Sequence, residues 1–480
     1  MAEIKKNNFL EAPVFFLHLS GLLYPPNWKQ NWYKKIFYDV FTLAIAVFIP
    51  LMEIVLLMHF IANLDDLFRA TAVLFQILCL MSVHIIFFYF LRHKPKLLKL
   101  IDRIETEFDF YMERVGSPER REAILSERYE NLKKIVNGMW LVYLFSMLFW
   151  TIFPWLLCYI HYFIKTEELS KEDTEKYFGL EMWLPENINK FPIYEMFQMF
   201  NLMTVYCNVT NMSACYLIMF VLTYHTATLF RLICSAFEDF DYFESTLRSE
   251  YEIYDTKNQS NSFKSDETER RSPARERSGH HDGYVDSFNQ DSVGTNKSID
   301  RNKFKVIDTV TDVSNISNLE DNEEIKTRLN NYLIHCVKFH QAAIRYTDDL
   351  NDLVSPMIFI FFIFTELMLC LSAFQLVLAK MDERKLKFLT SSSTLFAWPL
   401  ILCHYGDDLK SSAVKESVFS IRWYTQSKSI NKLLQMVMIR AQQPVTIRPG
   451  KFYVATLETF SDICHKVYAY LTLLRQMYDN

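Results

Sequence analysis

The chain has 480 residues, half of them hydrophobic and 16% aromatic, with only 9 glycines and a formal net charge of −5. This composition is too aromatic and too poor in glycine for an ordinary α/β enzyme and predicts a mostly helical protein. The mean hydropathy of +0.02 is modest because it averages long apolar runs with one very polar stretch.

Seven segments are long and apolar enough to cross a bilayer core about 30 Å thick, which requires roughly 20 residues of helix. They are Phe37–Phe60, Leu67–Leu91, Val136–Phe163, Ile193–Leu222, Val354–Leu378, Phe388–Tyr405 and Phe452–Leu474. We therefore expect an all-α membrane protein. Residues 1–33 lack the apolar stretch of a secretory signal, so the first span is expected to direct its own insertion.

Basic residues near the first two spans predict which flanks face the cytoplasm. They are Lys29, Lys34, Lys35, Arg92, Lys94, Lys96 and Lys99. The loop after the third span is acidic and is expected outside, whereas the basic loop of Lys380, Arg384, Lys385 and Lys387 fits this topology less well. Seven spans that start inside end outside, so we predict a cytoplasmic amino terminus and an extracellular carboxyl terminus.

A polar stretch from Tyr251 to Glu324 interrupts the spans and is too poor in apolar residues to fold, so we expect disorder there. Charged but periodic segments on either side, and again after the sixth span, predict a cytoplasmic helical anchor. The expected divisions are a cytoplasmic amino-terminal segment (1–35), spans one to four (36–223), cytoplasmic extensions (224–353) around an insert of about 251–324, spans five and six (354–406), an anchor helix and turn (407–450), and the last helix with a short extracellular tail (451–480).

The last span carries ionisable residues, which usually face a bundle interior or water when they lie inside a membrane. At 100° per residue one line of this helix contains Ala455, Thr459, Asp462, Lys466, Ala469, Leu473 and Met477. Symmetric copies of such a face would line a pore with Leu473 and Met477 as its constriction, beside Gln476. The alternative is that Asp462 and Lys466, four residues apart, simply pair at a helix end.

The carboxyl-terminal third resembles the insect odorant receptor family and the related gustatory receptors. The ending Ala469 to Met477 follows the family's terminal pattern but departs from it at Ala469, Arg475 and Met477. Further matching residues occur upstream in the family's order and spacing: Cys403, His404, Tyr405, Gly406, Asp407, Asp408, Leu409, Ser412, Trp423, Tyr424, Arg440, Pro444, Gly450, Lys451 and Phe460.

The resemblance implies seven spans and four subunits around one cation pore lined by the last helix, in the plasma membrane of an olfactory sensory neuron dendrite. The candidate pore and gate residues are Asp462, Lys466, Leu473, Gln476 and Met477. A ligand-tuned receptor is expected to form a heterotetramer with the odorant co-receptor. The departures at the end of the chain favour such a subunit over the co-receptor itself.

The resemblance also implies a pocket for a small volatile ligand in the outer half of the bundle, among spans two, three, four and six. Its candidate residues are Val73, Leu74, Ile77, Trp150, Phe153, Pro154, Leu157, Phe197, Phe200, Asn201, Thr204, Ser392, Phe396 and Trp398. Apolar contact is expected to dominate binding, with Asn201, Thr204 or Ser392 as a polar handle.

The sequence leaves three alternatives to an odour-gated channel. A gustatory-type channel would work as a homomer. A G-protein-coupled receptor would need the opposite topology, which would place the acceptor sites Asn258, Asn296 and Asn315 outside the cell and glycosylate them. A membrane enzyme lacks support, because no nucleophile constellation or phosphate loop is present. We expect no cofactor, no metal site and no nucleic-acid partner, and the sequence assigns no role to Glu53 or Glu366.

Overall fold

The computed structural model describes residues 8–26, 28–165, 174, 177–188, 190, 192–251, 253, 318–378, 383–409 and 412–479. Within these ranges every regular element is a helix, as the composition predicts. The α-helices are α1 (Asn8–Leu19), α2 (Trp32–Ala62), α3 (Leu67–Met112), α4 (Pro118–Met147), α5 (Phe153–Lys165), α6 (Ile193–Glu238), α7 (Asn318–Leu378), α8 (Glu383–Asp408), α9 (Ser412–Phe419), α10 (Lys428–Ala441) and α11 (Leu457–Asp479). A π-helical turn, Leu148–Ile152, joins α4 to α5, and residues 240–251 continue as helix after α6.

Six helices of the described part are long and apolar enough to cross a membrane; they contain five of the first six predicted spans and all but the last two residues of the third. They are Trp32–Ala62, Leu67–Met112, Pro118–His161, Ile193–Glu238, Glu323–Leu378 and Arg384–Phe419. The seventh predicted span corresponds to α11, which begins at Leu457 instead of Phe452 and falls outside that group. Its charged residues, among them Glu458 and Asp462, lower its hydropathy below that of the other six.

Several helices are much longer than a bilayer is thick. The longest, α7, has 61 residues and therefore extends roughly 90 Å at 1.5 Å per residue, about three times the apolar core. Helices α3 and α6 have 46 residues each. The excess length of these helices forms a helical layer with α9 and α10, which we call the anchor end. The opposite end, where Asn63–Asp66 joins α2 to α3, is called the strap end after the irregular segment 177–188 that lies there.

The anchor end is built around α6. Every residue from Ser213 to Phe230 is buried, so neighbouring helices cover α6 on all sides over this stretch. The largest apolar cluster of the molecule surrounds it and draws residues from α1, α3, α7, α8 and α10. Two smaller clusters lie toward the strap end. The burial of α6 is therefore complete at one end of the molecule and partial at the other.

One sequence expectation changes in detail at the anchor end. The segment 407–450 contains two helices, α9 and α10, instead of one, because a turn at Trp423–Thr425 separates them and the Ser427 side chain caps α10 by accepting from Ile430 N. The predicted insert and its three glycosylation acceptors lie largely outside the described residues, whose numbering resumes with α7 at Asn318. The amino-terminal helix α1 was not predicted as a separate element.

Candidate functional site

A cavity lies between the two smaller apolar clusters, inside the strap end of the bundle. The space between its atoms is about 740 Å³, a figure that includes open solvent at its mouth. The apolar side chains of its wall are Phe75, Cys79, Leu80, Trp150, Leu180, Val205, Val209, Met212, Tyr216, Met368 and Leu395. The polar side chains are Gln76, Ser82, Ser146, Thr204, Asn208, Ser391 and Thr394. Such a mostly apolar wall with scattered hydroxyls and amides suits a small organic molecule.

Asn208 provides the clearest polar contact point in this wall. Its Oδ1 atom is buried and has no hydrogen-bond partner within the described ranges. A buried amide oxygen without a partner costs free energy, which a ligand donor would recover. The sequence had suggested Asn201, Thr204 and Ser392 for this role. However, the Thr204 and Ser392 hydroxyls donate to the carbonyls of Phe200 and Phe388 in their own helices.

Of the fourteen residues suggested from the sequence for ligand binding, Trp150 and Thr204 lie in the cavity wall. The others lie around it. Val73, Ile77, Phe197 and Phe200 belong to the cluster beside the strap, and Leu74 to the cluster beside α11. Trp398 packs edge-to-face on Tyr216, one layer behind the wall, and Phe396 packs on Phe460 of α11. Phe153, Pro154, Leu157, Asn201 and Ser392 are absent from the wall.

The π turn accounts for the positions of third-span residues relative to this cavity. A π turn spans i to i+5 and contains one residue more than an α turn. The turn at Leu148–Ile152 therefore interrupts the 3.6-residue period directly after Ser146 and at Trp150, which both face the cavity. Residues placed on the same face by uninterrupted helical counting, such as Phe153 and Leu157, rotate away. Pro154 is the local signal that could have marked this turn, because it has no N–H to donate to the Trp150 carbonyl four residues earlier.

An irregular segment, residues 177–188, folds into the strap end and covers the cavity; we call it the strap. Its side chains Phe178, Leu180, Met182, Leu184 and Ile188 are buried. Leu180 forms part of the cavity wall. Because the strap is neither helix nor strand, its backbone groups need partners from the surrounding helices.

Polar side chains from three helices provide those partners. Leu180 N donates to Asn201 Oδ1 at 3.3 Å, and Glu181 N donates to Gln76 Oε1 at 2.9 Å. Lys387 Nζ donates to the Phe178 carbonyl at 2.9 Å. Arg384 forms an ion pair with Glu181 at 3.1 Å. Asn201, a residue that the sequence suggested for ligand contact, thus holds the strap.

Gly179 brings the strap into direct contact with the cavity wall. A Cβ atom at this position would lie 1.8 Å from the Trp150 carbonyl oxygen, so a larger residue cannot occupy it without movement of the strap. Because Trp150 and Leu180 both line the cavity, the position of the strap sets the shape of the cavity. Sequence reasoning missed this glycine, whose requirement arises from a neighbour distant in the chain.

The two carboxylates inside the predicted spans both have partners. Glu53 of α2 contacts His84 of α3, with Oε1 3.0 Å from Nδ1. Glu366 of α7 contacts Lys466 of α11, with Oε2 3.8 Å from Nζ. A charge inside a membrane segment is expected to have such a partner. The pairing of Lys466 with Glu366 differs from the Asp462–Lys466 pair considered from the sequence.

Helix α11 packs one face against the bundle and exposes the other. Thr459 and Ile463 are buried, and Val467 and Leu474 pack against the cluster that includes Phe75 and Met368. The exposed face contains the other candidate pore residues, Asp462, Leu473, Gln476 and Met477. Leu473 and Met477 are 56% and 61% exposed, so this chain alone leaves an apolar ridge uncovered.

Gly406 and Asp407, two of the motif residues upstream of α11, form the seam between α8 and the start of α11. A Cβ on Gly406 would lie 2.2 Å from the Ala455 carbonyl, so the two segments touch at their backbones. Asp407 Oδ2 accepts from Leu457 N, the first residue of α11, and Asp408 pairs with Arg128. Gly450 adopts a φ of +60° against the Phe359 ring. These contacts explain the residue types at those positions by packing.

The described residues contain no group of three His, Cys, Asp or Glu side chains placed to hold a metal ion. The site therefore consists of a cavity, its strap and a half-exposed helix.

Comparisons with known proteins give a consistent result. A family model described as 7tm Odorant receptor matches residues 63–468. Odorant receptor 67c of Drosophila melanogaster is 28% identical over 163 residues, which are 34% of this chain and 39% of that protein. Odorant receptor Or2 of Anopheles gambiae is 29% identical over 154 residues, 31% of this chain and 39% of that protein. The alignments thus span about two fifths of the curated relatives.

The fold is also found in a solved structure, the olfactory receptor OR5 from Machilis hrabei in complex with eugenol. The two structures agree with a TM-score of 0.68 over 98% of this chain and 97% of that chain. Their sequences are 14% identical, so the likeness is one of fold.

Proposed function

Because this chain belongs to the 7tm odorant receptor family, we propose that it is a ligand-tuned subunit of an odour-gated, non-selective cation channel. The observation that carries the proposal is the cavity beneath the strap, which is close to the exposed helix α11 and shares an apolar cluster with it. The family and the fold indicate a receptor or channel rather than an enzyme.

The proposed ligand is a small, mostly apolar volatile molecule with one hydrogen-bond donor. Apolar contact contributes roughly 25 cal/mol for each Å² removed from water, so the wall of the cavity provides most of the binding free energy. The Asn208 oxygen favours a hydroxyl among the polar groups of such a molecule. The OR5 structure contains eugenol, a molecule of this size class, which supports the assignment.

The proposed pore is lined by the exposed face of α11 from each subunit of a heterotetramer with the odorant co-receptor. Leu473 and Met477 form an apolar constriction that closes by excluding water, with Gln476 beside it. The exposure of this ridge in the single chain supports an occupant from a neighbouring subunit. Asp462 faces the same side, whereas Lys466 is turned toward Glu366.

Helix α7 connects the ligand cavity to the proposed pore helix α11. Met368 lines the cavity, and Glu366, two residues earlier, reaches Lys466 on α11. Residues two apart point to nearly opposite sides of a helix, so α7 lies between the ligand and the pore helix. A ligand that binds the open arrangement more tightly shifts the population toward it by that difference in affinity. In this mechanism α7 moves with the ligand and carries α11 off the pore axis.

The proposed topology places the strap end outside the cell and the anchor end in the cytoplasm, with the amino terminus inside. The lysines that flank α2 and α3 at the anchor side support this orientation. The proposed location is the plasma membrane of an olfactory sensory neuron dendrite.

Whole-cell current tests the proposal directly. Cells that express this chain with and without an odorant co-receptor are exposed to volatile esters, alcohols and aldehydes. Ligand-evoked cation current that needs both subunits is expected. Current from this chain alone would instead indicate a homomeric, gustatory-type channel, and surface expression without current in either case would refute the channel assignment.

The gate assignment has its own test. Leu473→Ser makes the constriction polar and is expected to raise the ligand-free current. Leu471→Ser, on the opposite face of α11, is the matched control. An unchanged closed state in Leu473→Ser would remove Leu473 from the gate.

A further inference from the structure

Aromatic rings and lysines form a cluster where α2 and α3 leave the apolar region toward the anchor end. The rings of Tyr24 and Tyr38 lie 5.0 Å apart, and that of Trp28 lies 6.4 Å from Tyr38. Lys94 Nζ is 4.6 Å from the Tyr24 ring centre, and Lys34 Nζ is 5.9 Å from that of Trp28. Both lysines are partly buried against these rings, whose faces attract cations.

The cluster carries more positive charge than its carboxylates balance. Exposed Lys29 and Lys35 lie beside Lys34 in the chain. Within the described ranges none of these three lysines, nor Lys94, has a carboxylate oxygen at ion-pair distance. Asp39 already accepts a hydrogen bond from the Tyr24 hydroxyl at 2.5 Å. Asp39 and Lys29 are both close enough to Lys94 for their charges to act on it, and the attraction by Asp39 is stronger than the repulsion by Lys29. One carboxylate therefore stands against four lysines, and the cluster keeps an excess of positive charge.

An apolar ridge continues from the cluster along α2. Its members recur every three or four residues and are each about half exposed or more: Phe37, Val40, Leu43, Val47, Leu51 and Ile54. Trp32 and Tyr33, at the start of α2, are 75% and 56% exposed, as expected for rings at the level of lipid headgroups. A molecule that fits both features has an anionic head and long apolar chains.

We propose that this cluster binds the phosphate headgroup of an anionic phospholipid, whose acyl chains lie along the exposed ridge of α2. Lys34 and Lys94 hold the phosphate from two helices, while Lys29 and Lys35 add long-range attraction. Four lysines against one carboxylate favour an anionic lipid over a zwitterionic one. The site is independent of the ligand cavity and of the pore.

Native mass spectrometry of the purified full-length chain tests the site. The protein is prepared in mixed micelles that contain phosphatidylserine and phosphatidylcholine, and the lipids retained are counted. Lys34→Gln with Lys94→Gln is expected to lower phosphatidylserine retention at least fivefold, and the matched control, Lys96→Gln with Lys99→Gln, to change it less than twofold. Equal losses in both variants would reduce the effect to general charge and overturn the site.

Two further arms keep the proposal falsifiable if the double variant folds poorly. Asp39→Asn removes the one carboxylate while its amide oxygen still accepts from Tyr24, so phosphatidylserine retention is expected to rise; no change, or a fall, would contradict the proposal. Inorganic phosphate is added to the unsubstituted protein, and its thermal stabilisation is compared with that given by phosphatidylserine. Equal stabilisation by phosphate alone would overturn the assignment to a lipid.

Discussion

The two ends of the molecule are held together by different interactions. At the anchor end charged side chains pair between helices: Arg128 with Asp408 at 2.5 Å, Arg120 with Asp239 at 2.9 Å, and Arg422 with Asp241 at 3.1 Å. At the strap end, neutral amides and one lysine hold the backbone of an irregular segment by hydrogen bonds, with the Arg384–Glu181 ion pair beside them. The anchor end has a continuous apolar core, whereas the strap end encloses a cavity.

This contrast shows how one chain combines a fixed base with an adaptable site. Removing Asp408 would leave the buried Arg128 guanidinium without its counter-charge, so the anchor resists rearrangement at this pair. A hydrogen bond to loop backbone contributes only about 1 kcal/mol net, so the strap can open without unfolding the helices. Binding sites are commonly built from such less stable elements. Four predictions test this division, from the largest expected effect to the smallest.

The first concerns the buried anchor pair. Asp408→Ala leaves the Arg128 guanidinium, whose side chain is 6% exposed, without its counter-charge. We expect the free energy of unfolding to fall by about 3 kcal/mol. This is the lower end of the range for breaking a buried pair, because Asp408 itself is partly exposed. Thermal unfolding of the purified protein provides the measurement. Glu127→Ala, which breaks the exposed Arg231–Glu127 pair, is the control and should cost less than about 1 kcal/mol. Similar melting temperatures for both variants would refute the division.

The second concerns the strap contact. Gly179→Ala places a Cβ against the Trp150 carbonyl and displaces the strap from the cavity wall. The ligand concentration for half-maximal current is expected to rise about tenfold, equivalent to roughly 1.4 kcal/mol, with little change in the melting temperature. Gly138→Ala is the matched control, because its added Cβ would meet no atom within 4 Å beyond its chain neighbours and the backbone of its own helix. An unaltered response of Gly179→Ala would show that the strap does not shape the site.

The third concerns the Glu366–Lys466 pair, which links α7 beside the cavity to α11. Glu366→Lys and Lys466→Glu each place like charges together between α7 and α11, and are expected to change ligand-free current about fivefold, as for a pair worth about 1 kcal/mol. The doubly swapped variant restores opposite charges and should return the current toward its original level. If the effects of the two substitutions simply add, the pair does not couple these helices.

The fourth concerns pH at the strap. Burial raises the pKa of the Glu181 carboxyl above its usual range, and this effect outweighs the attraction of Arg384 and Lys387. The docked strap therefore binds the proton more tightly than a released strap does, so docking strengthens as pH falls from the raised pKa toward 4.5 and weakens as pH rises. Hydrogen exchange of residues 177–188 should slow on acidification once corrected for intrinsic rates. Glu181→Gln should abolish this dependence; the same slope in both proteins would exclude Glu181 as its origin.

Much of the architecture was accessible from local sequence patterns. The first six spans lie inside observed helices because the hydropathy of about 20 consecutive residues decides membrane insertion. The two faces of α11 follow only in part from helical counting: Leu473 and Met477 are exposed as expected, whereas Thr459 and the preceding Ala455, counted on the same line, are buried. The cavity was harder, and only Trp150 and Thr204 of the suggested residues reached its wall, because the direction of a side chain depends on the rotation of each helix against its neighbours.

By itself the sequence determined that this is an all-helical chain with membrane-length helices, and its terminal third indicated the receptor family. These properties depend on composition, period and short motifs. Only the tertiary structure decided that Asn208 instead of Asn201 faces the cavity, that Gly179 must be small, and that Glu366 meets Lys466. Each of these depends on packing between segments distant in the chain. Turning a helix by one residue there moves a side chain from the cavity wall into a contact with a neighbouring segment.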